Sequence, residues 1–310
     1  MAYSLKAELE KKNRLAPGHR LCAGCGAGVA VNGVLRALDE GDKAVVSNAT
    51  SCLEVSTFIY PYTAYEDSYI HSAFENAAAM TGGVEAAYNV LRKKGKVKEN
   101  YKFICFGGDG GTYDIGFQSL SGAMERGHDM VYVCYDNEAY MNTGIQRSSA
   151  TPRFADATTT PVGTKSYGKV QNKKNLTEII AAHNVPYAAQ TTFLGDFRDL
   201  HSKAHKAIYT EGPCFLNVLS PCPRGWRYEM EDLAEVCRLA VDTCVWPLYE
   251  IEHGQWKLTY EPAKKLPVER FLEKQGRFKH MFAKGNEWML EDAQNYVDQQ
   301  WEKLKTRCER

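Results

Sequence analysis

The sequence predicts an open, mainly parallel α/β sheet with helices on both faces, followed by a C-terminal helical extension. Three observations support this fold class. Short apolar runs bounded by glycine alternate with helical segments as far as residue 219, and buried parallel strands have this continuous apolar character. The 310 residues are 44% hydrophobic, which is enough for a large core. Beyond about residue 247 the alternation gives way to a different pattern.

The predicted elements alternate in type along the chain. They are a helical stripe from Val29 to Leu38, a strand at 43–47, a helix at 74–92, a strand at 101–106, a helix at about 116–126, a strand at 130–135, a helix at 176–183, a strand at 186–190, a helix at 196–209 and a strand at 214–219. Gly82 and Gly83 inside the second helix predict close packing on a neighbouring element. Open sheets of this kind bind ligands at the carboxyl ends of their strands.

The C-terminal part begins with Pro- and Lys-rich connections and short helices. An apolar stripe at helical spacing then follows Asn286, a candidate N-cap; it consists of Met289, Ala293, Tyr296, Val297, Trp301 and Leu304. We therefore predict a main domain at 1–246 and an extension at 247–310. The extension packs either on its own domain or on a partner subunit.

Charge and hydropathy exclude several classes of partner. Lys plus Arg equals Asp plus Glu at 38 each, so there is no net field to attract nucleic acid or an acidic membrane surface. No run approaches the roughly 18 apolar residues of a membrane helix, and the first twenty residues are charged throughout. We expect a cytoplasmic protein. Ten cysteines in such a chain indicate metal binding rather than disulfides.

Two polar segments follow neighbouring predicted strands. Gly107 to Gly111 reads GGDGG, and the segment from Asp136 to Asn142 reads DNEAYMN. Glycines at a strand end let backbone amides approach a pyrophosphate, whereas a carboxylate, an amide oxygen and a main-chain carbonyl suit octahedral Mg²⁺. The helix between the strands returns both loops to one edge of the sheet. The glycine pattern is neither a P-loop nor a dinucleotide GxGxxG motif.

This pair of segments resembles the signature of thiamine-diphosphate enzymes. The resemblance implies that Asp109 and Asn137 bind Mg²⁺ through their side chains and Ala139 through its carbonyl. The remaining cofactor-binding residues would be Gly108, Gly110, Gly111, Tyr140 and Asn142. The motif usually ends in two asparagines, and Asp136 replaces the first of them without affecting the ligand position.

Four cysteines follow predicted strands or lie in glycine-rich turns. Cys22 and Cys25 form a CxxC pair, Cys52 follows the strand at 43–47, and Cys222 follows the strand at 214–219. This spacing suits zinc and a 4Fe-4S cluster equally, because both accept four thiolates. Cys105 and Cys134 lie inside apolar strands and are expected to be ordinary core residues.

Six segments together resemble the β subunit of the pyruvate:ferredoxin and 2-oxoacid:ferredoxin oxidoreductases. They are CAGCGAG at 22–28, NATSC at 48–52, HSAFENAAAMTGG at 71–83, GDGGTYDIG at 108–116, YDNEAYMNTGIQRSSATP at 135–152 and SPCPRGW at 220–226. The resemblance implies one 4Fe-4S cluster on Cys22, Cys25, Cys52 and Cys222, since an enzyme that oxidises its substrate needs an electron sink. It also implies that Asn142 lies near the thiazolium ring and substrate, as a catalytic residue.

The implied reaction is oxidative decarboxylation of a 2-oxoacid. Pyruvate is the expected substrate, giving acetyl-CoA and CO₂, with electrons passing through the cluster to ferredoxin. An α subunit would complete the thiamine site, and γ and δ or fused subunits would carry further clusters. Oxalate without coenzyme A is an alternative, as are other 2-oxoacids. A non-redox thiamine carboligase or decarboxylase would leave the cysteines unused, and an electron-transfer module would have lost thiamine.

Four further residues receive no catalytic role. His71 and Glu75 follow a loop and are expected to pack or form hydrogen bonds. Arg147 and Arg153 are candidates for contact with a carboxylate or a coenzyme A phosphate. Solvated loop arginines that bind no ligand would give the same sequence pattern.

Overall fold

The computed structural model describes residues 4–59 and 61–309. The strands in chain order are β1 Lys43–Ala49, β2 Phe58–Ile59, β3 Tyr62–Thr63, β4 Ser68–Ser72, β5 Tyr101–Gly108, β6 Val131–Asp136, β7 Val162–Gly163, β8 Ser166–Tyr167, β9 Tyr187–Thr192, β10 Cys214–Leu219, β11 Tyr249–Glu252 and β12 Gln255–Leu258. The α-helices are α1 Leu5–Glu10, α2 Gly26–Leu35, α3 Cys52–Thr57, α4 Ala77–Lys93, α5 Phe117–Glu125, α6 Leu176–Ala181, α7 Arg198–Tyr209, α8 Pro223–Trp226, α9 Leu233–Asp242, α10 Glu269–Leu272 and α11 Glu287–Cys308. A π-helix spans Gly110–Ile115, and 3₁₀ helices span Met230–Asp232 and Gly276–Phe282.

Eight of these strands form one sheet in the order β12-β11-β9-β10-β6-β5-β1-β4. The six strands from β9 to β4 are parallel, and β11 and β12 add an antiparallel hairpin beside β9. The pairs β2-β3 and β7-β8 are short separate ribbons. The prediction of an open, mainly parallel α/β sheet is confirmed.

Helices cover both faces of the sheet, which explains its continuous apolar strands. Every residue of β6 and β10 is buried. Along β5, Phe103 and Cys105 join the core beneath α4, α5 and α6, whereas Ile104 and Phe106 join the core beneath α2 and α7. This alternation is the period of two that a strand imposes on its side chains. Cys105 and Cys134 are buried core residues, as predicted.

The two edges of the sheet were not predicted. Edge strand β4 has the sequence SYIHS and keeps only partial burial, so its pattern does not read as a buried strand. The prediction of connections and short helices after Pro247 is wrong for residues 249–258, which form β11 and β12. Within the described residues, the model has no helix that is sufficiently long and apolar to span a membrane.

The long helix α11 packs on the chain's own core. Its buried residues are Met289, Val297, Trp301 and Leu304, four members of the predicted stripe, and they join the core that contains α9. Asn286 precedes the helix as predicted, but its side chain donates to the carbonyl of His280 instead of capping the helix. Contact of this helix with a partner subunit stays a prediction.

Removing the largest apolar side chain of α11 tests this packing. Trp301→Ala should lower the free energy of unfolding by about 3–5 kcal/mol, because Trp301 is 6% exposed and its loss leaves a cavity. Trp288→Ala on the same helix is the matched control, since Trp288 is 44% exposed. Urea denaturation compares the two variants, and equal losses of stability would contradict the packing described here.

Candidate thiamine site and cysteine cluster

Parallel pairing brings the ends of four strands to one edge of the sheet. Gly108 pairs with Tyr135 across β5 and β6, and Leu219 pairs with Asp136 across β10 and β6. The loops that follow β1, β5 and β6 line one cleft. Its lining residues are Ser51, Cys52, Phe74, Gly108, Asp109, Gly110, Gly111, Tyr135, Asn137, Ala139, Tyr140, Met141, Asn142 and Thr143. Every residue that the sequence suggested for cofactor binding therefore lies in this cleft.

The glycine-rich segment leaves β5 directly into the π-helix Gly110–Ile115. A side chain on Gly110 would overlap the ring of Tyr140, whose hydroxyl donates to the Gly110 carbonyl at 3.0 Å. Gly111 lies close to the carbonyl of Phe74. Glycine is required at Gly110 because the Tyr140 ring occupies the space of a Cβ, and this close approach leaves the backbone exposed to the cleft. π-Helical turns of this kind often lie at functional sites.

Three oxygen ligands of the kind that suits Mg²⁺ meet at the centre of the cleft. The Asn137 side-chain amide oxygen lies 2.8 Å from the Ala139 carbonyl oxygen and 2.9 Å from Asp109 Oδ1. Adjacent ligands of an octahedral Mg²⁺ ion at 2.0–2.1 Å are separated by about 3 Å. Without a cation the reversed amide is favoured, because its nitrogen then donates to the Ala139 carbonyl and to Asp109 Oδ1. A bound cation would favour the orientation that presents the oxygen.

Asp109 is buried and electrostatically strained. Burial, followed by the negative charge of Asp136, raises the pKa of Asp109 well above its usual range. The Ser148 hydroxyl, which donates to Asp109 Oδ2 at 2.5 Å, lowers this pKa but does not offset the increase. An ionised carboxylate is costly in such surroundings unless a cation or several donors compensate it. A metal ion at the three oxygens would supply that compensation.

The 136–139 turn is held by a buried charge network. Glu138, at φ 66°, lies between the two residues that would bind metal, Asn137 and Ala139. Lys173 Nζ lies 2.7 Å from Asp136 Oδ2 and 2.9 Å from Glu138 Oε1, and Arg277 Nη2 lies 2.5 Å from Glu138 Oε2. Burial alone would raise the pKa of Glu138, but Lys173 and Arg277 outweigh it and hold the pKa below its usual value. The left-handed turn is thus fixed by ion pairs on a non-glycine residue.

Cys22, Cys25, Cys52 and Cys222 lie near one another beside this cleft. Cys52 begins α3 directly after β1, and Cys222 caps α8 after β10, with its Sγ accepting from Gly225 N at 3.4 Å. The CxxC turn docks on the Cys222 loop, because Gly26 N donates to the Pro221 carbonyl at 3.0 Å. A Cβ on Gly26 would meet the backbone of Ser220 at 2.6 Å, so the docking is close.

The thiols influence one another electrostatically. Burial, followed by the neighbouring Cys222, Cys25 and Cys22 and then Asp109, together raise the pKa of Cys52 to about 12. Burial also raises the pKa of Cys25 to about 11. Metal ligation requires thiolates, so binding at these cysteines must supply the positive charge that stabilises them. In the part of the chain that the structure describes, no three His, Cys, Asp or Glu residues stand close enough to hold a single metal ion.

The remaining candidates lie around the cleft or away from it. Asn142 lines the cleft and is exposed at its rim. His71 Nδ1 lies 3.4 Å from Glu54 Oε1, and its ring packs on Phe58. Glu75 and Arg147 are exposed. Arg153 lies 3.5 Å from Asp292 on α11 and stacks over Phe154.

Comparisons with known proteins identify the family. Residues 49–218 match the family model for the C-terminal TPP-binding domain of thiamine pyrophosphate enzymes. The pyruvate synthase subunit PorB of Thermotoga maritima is 52% identical, over 97% of this chain and 94% of the relative. PorB of Methanocaldococcus jannaschii is 49% identical, over 94% and 96%. The chain belongs to the β-subunit family of the 2-oxoacid:ferredoxin oxidoreductases.

The family resemblance read from the sequence is thus confirmed. A solved 2-oxoglutarate:ferredoxin oxidoreductase from Magnetococcus marinus has a TM-score of 0.55 at 24% identity, over 71% of this chain and 75% of that chain, which supports the fold. The thiamine-binding segment 49–218 contains the whole cleft from Ser51 to Thr143. Cys22, Cys25 and Cys222 lie outside it, in the parts that this β subunit shares with the PorB subunits.

Sequence reasoning missed the buried network behind the cleft. Ser148, Lys173 and Arg277 all contact the 136–139 turn or Asp109. One signal was present, since a charged Glu138 follows a fully buried strand and requires a partner. The partner Arg277 is 139 residues away in sequence, and a single sequence carries no pattern that connects the two.

A methyl group at Gly110 should weaken thiamine diphosphate binding by this β subunit. Gly110→Ala forces the Tyr140 ring out of the cleft, and overpacking of about 1–3 kcal/mol corresponds to about a tenfold loss of affinity. Gly83→Ala in α4 is the matched control, because a Cβ there meets no atom within 4 Å. Calorimetric titration of thiamine diphosphate measures both, and unchanged affinity for Gly110→Ala would contradict the placement.

Proposed function

We propose that this chain is the thiamine-diphosphate-binding β subunit of a pyruvate:ferredoxin oxidoreductase. The enzyme would decarboxylate pyruvate oxidatively to acetyl-CoA and CO₂ and pass two electrons, through a 4Fe-4S cluster, to ferredoxin. The observation that supports this proposal is that the chain is 52% and 49% identical, over nearly its full length, to two PorB subunits of pyruvate synthases. A ketoisovalerate oxidoreductase subunit of Pyrococcus furiosus is 42% identical, so a branched-chain substrate is the alternative that the experiment must exclude.

The three oxygens in the cleft support Mg²⁺ as the link to the cofactor's diphosphate. Asp109, Asn137 and Ala139 would hold the ion, and the backbone around Gly110 and Gly111 would face the phosphates. Charge balance favours a cation here. Burial and the negative charge of Asp136 both disfavour the ionised Asp109 carboxylate, and an isolated buried negative charge is unstable.

The reaction favours a 4Fe-4S cluster over zinc at the cysteines. The four thiols interact electrostatically, and four thiolates can bind either metal centre. An enzyme that oxidises its substrate needs an electron acceptor, which a cluster provides and zinc does not. Cys22 is exposed and the other three are half-buried, so the cluster would be reachable from outside the chain.

Each part of the chain has a definite role in the proposed reaction. Thiamine diphosphate supplies, when bound, the carbon nucleophile and electron sink that decarboxylation of a 2-oxoacid requires. The Asp109–Asn137–Ala139 oxygens orient the diphosphate end, and Asn142 at the rim offers an amide to the substrate. Ser51 and Cys52 line the same cleft as Gly108, which brings a cluster ligand next to the cofactor and shortens the path for electrons.

Partner subunits would complete this site. The cleft opens at Asn142 and Thr143, both exposed. Apolar side chains are exposed on elements beside it, with Ile115 at 58% and Val55 at 44%. Such exposure next to a polar cleft is typical of an interface. We propose that an α subunit covers this face and supplies the remaining thiamine contacts, while γ and δ or fused subunits carry electrons onward to ferredoxin.

Removing the Asp109 charge tests the metal site. Asp109→Asn should weaken Mg²⁺-dependent binding of thiamine diphosphate at least about tenfold, because a neutral amide is a poorer ligand for a hard cation. Asp129→Asn is the control, since this exposed aspartate lies before β6, at the opposite edge of the sheet. Titrations at graded Mg²⁺ concentrations measure the effect, and a Mg²⁺ dependence equal to wild type would refute the assignment.

Removing one cysteine tests the cluster. Cys22→Ala should cost the anaerobically purified complex about four iron atoms and four sulfide ions per copy of this chain. Cys308→Ala is the control, because Cys308 is half-buried near the C-terminus on α11. Iron and acid-labile sulfide analyses give the counts. Equal iron in both variants, or zinc in place of iron, would remove the cluster from the proposal.

The reaction itself is tested with the intact complex. Ferredoxin reduction should be fastest with pyruvate and should require coenzyme A, and 2-oxoisovalerate, 2-oxoglutarate and oxalate serve as comparison substrates. Faster reduction with 2-oxoisovalerate would move the assignment to the branched-chain enzymes. Reduction by oxalate without coenzyme A would move it to oxalate oxidation. No reduction by any of them, with thiamine and cluster intact, would overturn the redox function.

A further inference from the structure

Trp226 joins the two proposed cofactor sites. Its indole Nε1 donates to the Asn137 carbonyl at 2.7 Å, and its side chain is fully buried. Trp226 ends α8, which Cys222 caps. Ser220 N also donates to the Asp136 carbonyl, at 2.8 Å, so two hydrogen bonds connect the 136–139 turn with the cysteine loop, residues 220–226. Met141 packs against Gly225 and adds an apolar contact between the same two regions.

Arg277 contacts both loops from a third segment of the chain. Its guanidinium lies over the Trp226 ring, with Cζ 4.0 Å from the centroid, and its Nη2 lies 2.5 Å from Glu138 Oε2. Gln275 Oε1 accepts from Nε and Nη2 at 2.9 and 2.7 Å. The residue is 2% exposed. A planar cation that stacks and forms a charged hydrogen bond fixes geometry in a way that lysine does not reproduce.

The charge of Arg277 also acts on the cysteine loop. The guanidinium stacks on the indole of Trp226, which ends the short helix that Cys222 caps, so its positive charge lies beside the cysteine loop. The only carboxylate that the structure pairs directly with this guanidinium, within the described residues, is Glu138. A buried positive charge near a set of thiolates stabilises the more negative state of whatever group they hold.

We propose that Arg277 is a positioning residue for both cofactor sites: it fixes the 136–139 turn and the cysteine loop relative to each other and raises the reduction potential of the cluster. The inference rests on the proposed function, because it needs the cluster on Cys22, Cys25, Cys52 and Cys222 and the metal at Asp109. Arg277 touches neither group directly and acts through Glu138 and Trp226.

Three variants of the intact complex separate charge from geometry. Arg277→Lys keeps the charge and loses the stacked, planar contact. Arg277→Gln removes the positive charge, and Glu138 keeps its ion pair with Lys173, so no buried carboxylate is left unpaired. Arg270→Gln on α10 is the control, because Arg270 is an exposed arginine of the same C-terminal segment, paired only with Glu273.

The readouts are the midpoint potential of this chain's cluster, from a redox titration followed by electron paramagnetic resonance, and the affinity for thiamine diphosphate. The cluster signal is identified as the one that Cys22→Ala lacks. Arg270→Gln should match wild type in both. Arg277→Lys should keep the potential near wild type and bind thiamine diphosphate severalfold more weakly. Arg277→Gln should show a more negative potential and at least about a tenfold loss of affinity.

An unchanged potential in Arg277→Gln would overturn the inference even if affinity fell, because lost affinity alone would indicate local damage. An affinity equal to wild type would overturn it as well. If the wild-type complex has no cluster signal that depends on Cys22, the proposed function is wrong, and that result does not count against the role of Arg277. The two failures are therefore distinguishable.

Discussion

The parallel register of β1, β5, β6 and β10 brings the ends of these four strands to one edge of the sheet, and everything at the candidate site depends on it. Each strand end contributes polar or thiol groups: a thiol after β1, a carboxylate after β5, an amide and a carbonyl after β6, and a second thiol after β10. Parallel strands require crossover helices, and these cover both faces of the sheet. The same packing that buries the core therefore assembles the two proposed cofactor sites side by side.

Placing so many polar groups at a buried edge has an electrostatic cost. Ion pairs offset part of this cost, since Lys173 pairs with both Asp136 and Glu138, and Arg277 pairs with Glu138. Burial still raises the pKa of Asp109 and of Cys52, although Lys173 acts on Asp109 in the other direction. These two places are where the proposed cofactors would supply positive charge. The ionic network thus shapes the turn, and the proposed metals would complete the charge balance.

The sequence allowed the sheet's central strands and the cleft residues to be predicted, because apolar runs and the glycine-rich segment after β5 are local signals. Edge strands such as Ser68–Ser72 are short and half-exposed, so their pattern resembles a loop. The glycine-rich sequence after β5 predicts a turn, whereas the structure has a π-helix at Gly110–Ile115; glycine permits both conformations. Arg277 could not be found, because its role depends on contacts with Glu138 and Trp226 that only the folded chain creates. The hydrophobic periodicity of a sequence carries no information about polar pairs between residues that are far apart along the chain.

The proposed redox function depends on an iron-sulfur cluster on four cysteines at the edge beside the thiamine cleft. Anomalous X-ray diffraction from anaerobically grown crystals of the complex, collected at the iron and zinc absorption edges, tests this most directly. We expect a strong iron signal bounded by Cys22, Cys25, Cys52 and Cys222, next to thiamine diphosphate in the cleft. A zinc signal at that position, or no metal signal there, would contradict it.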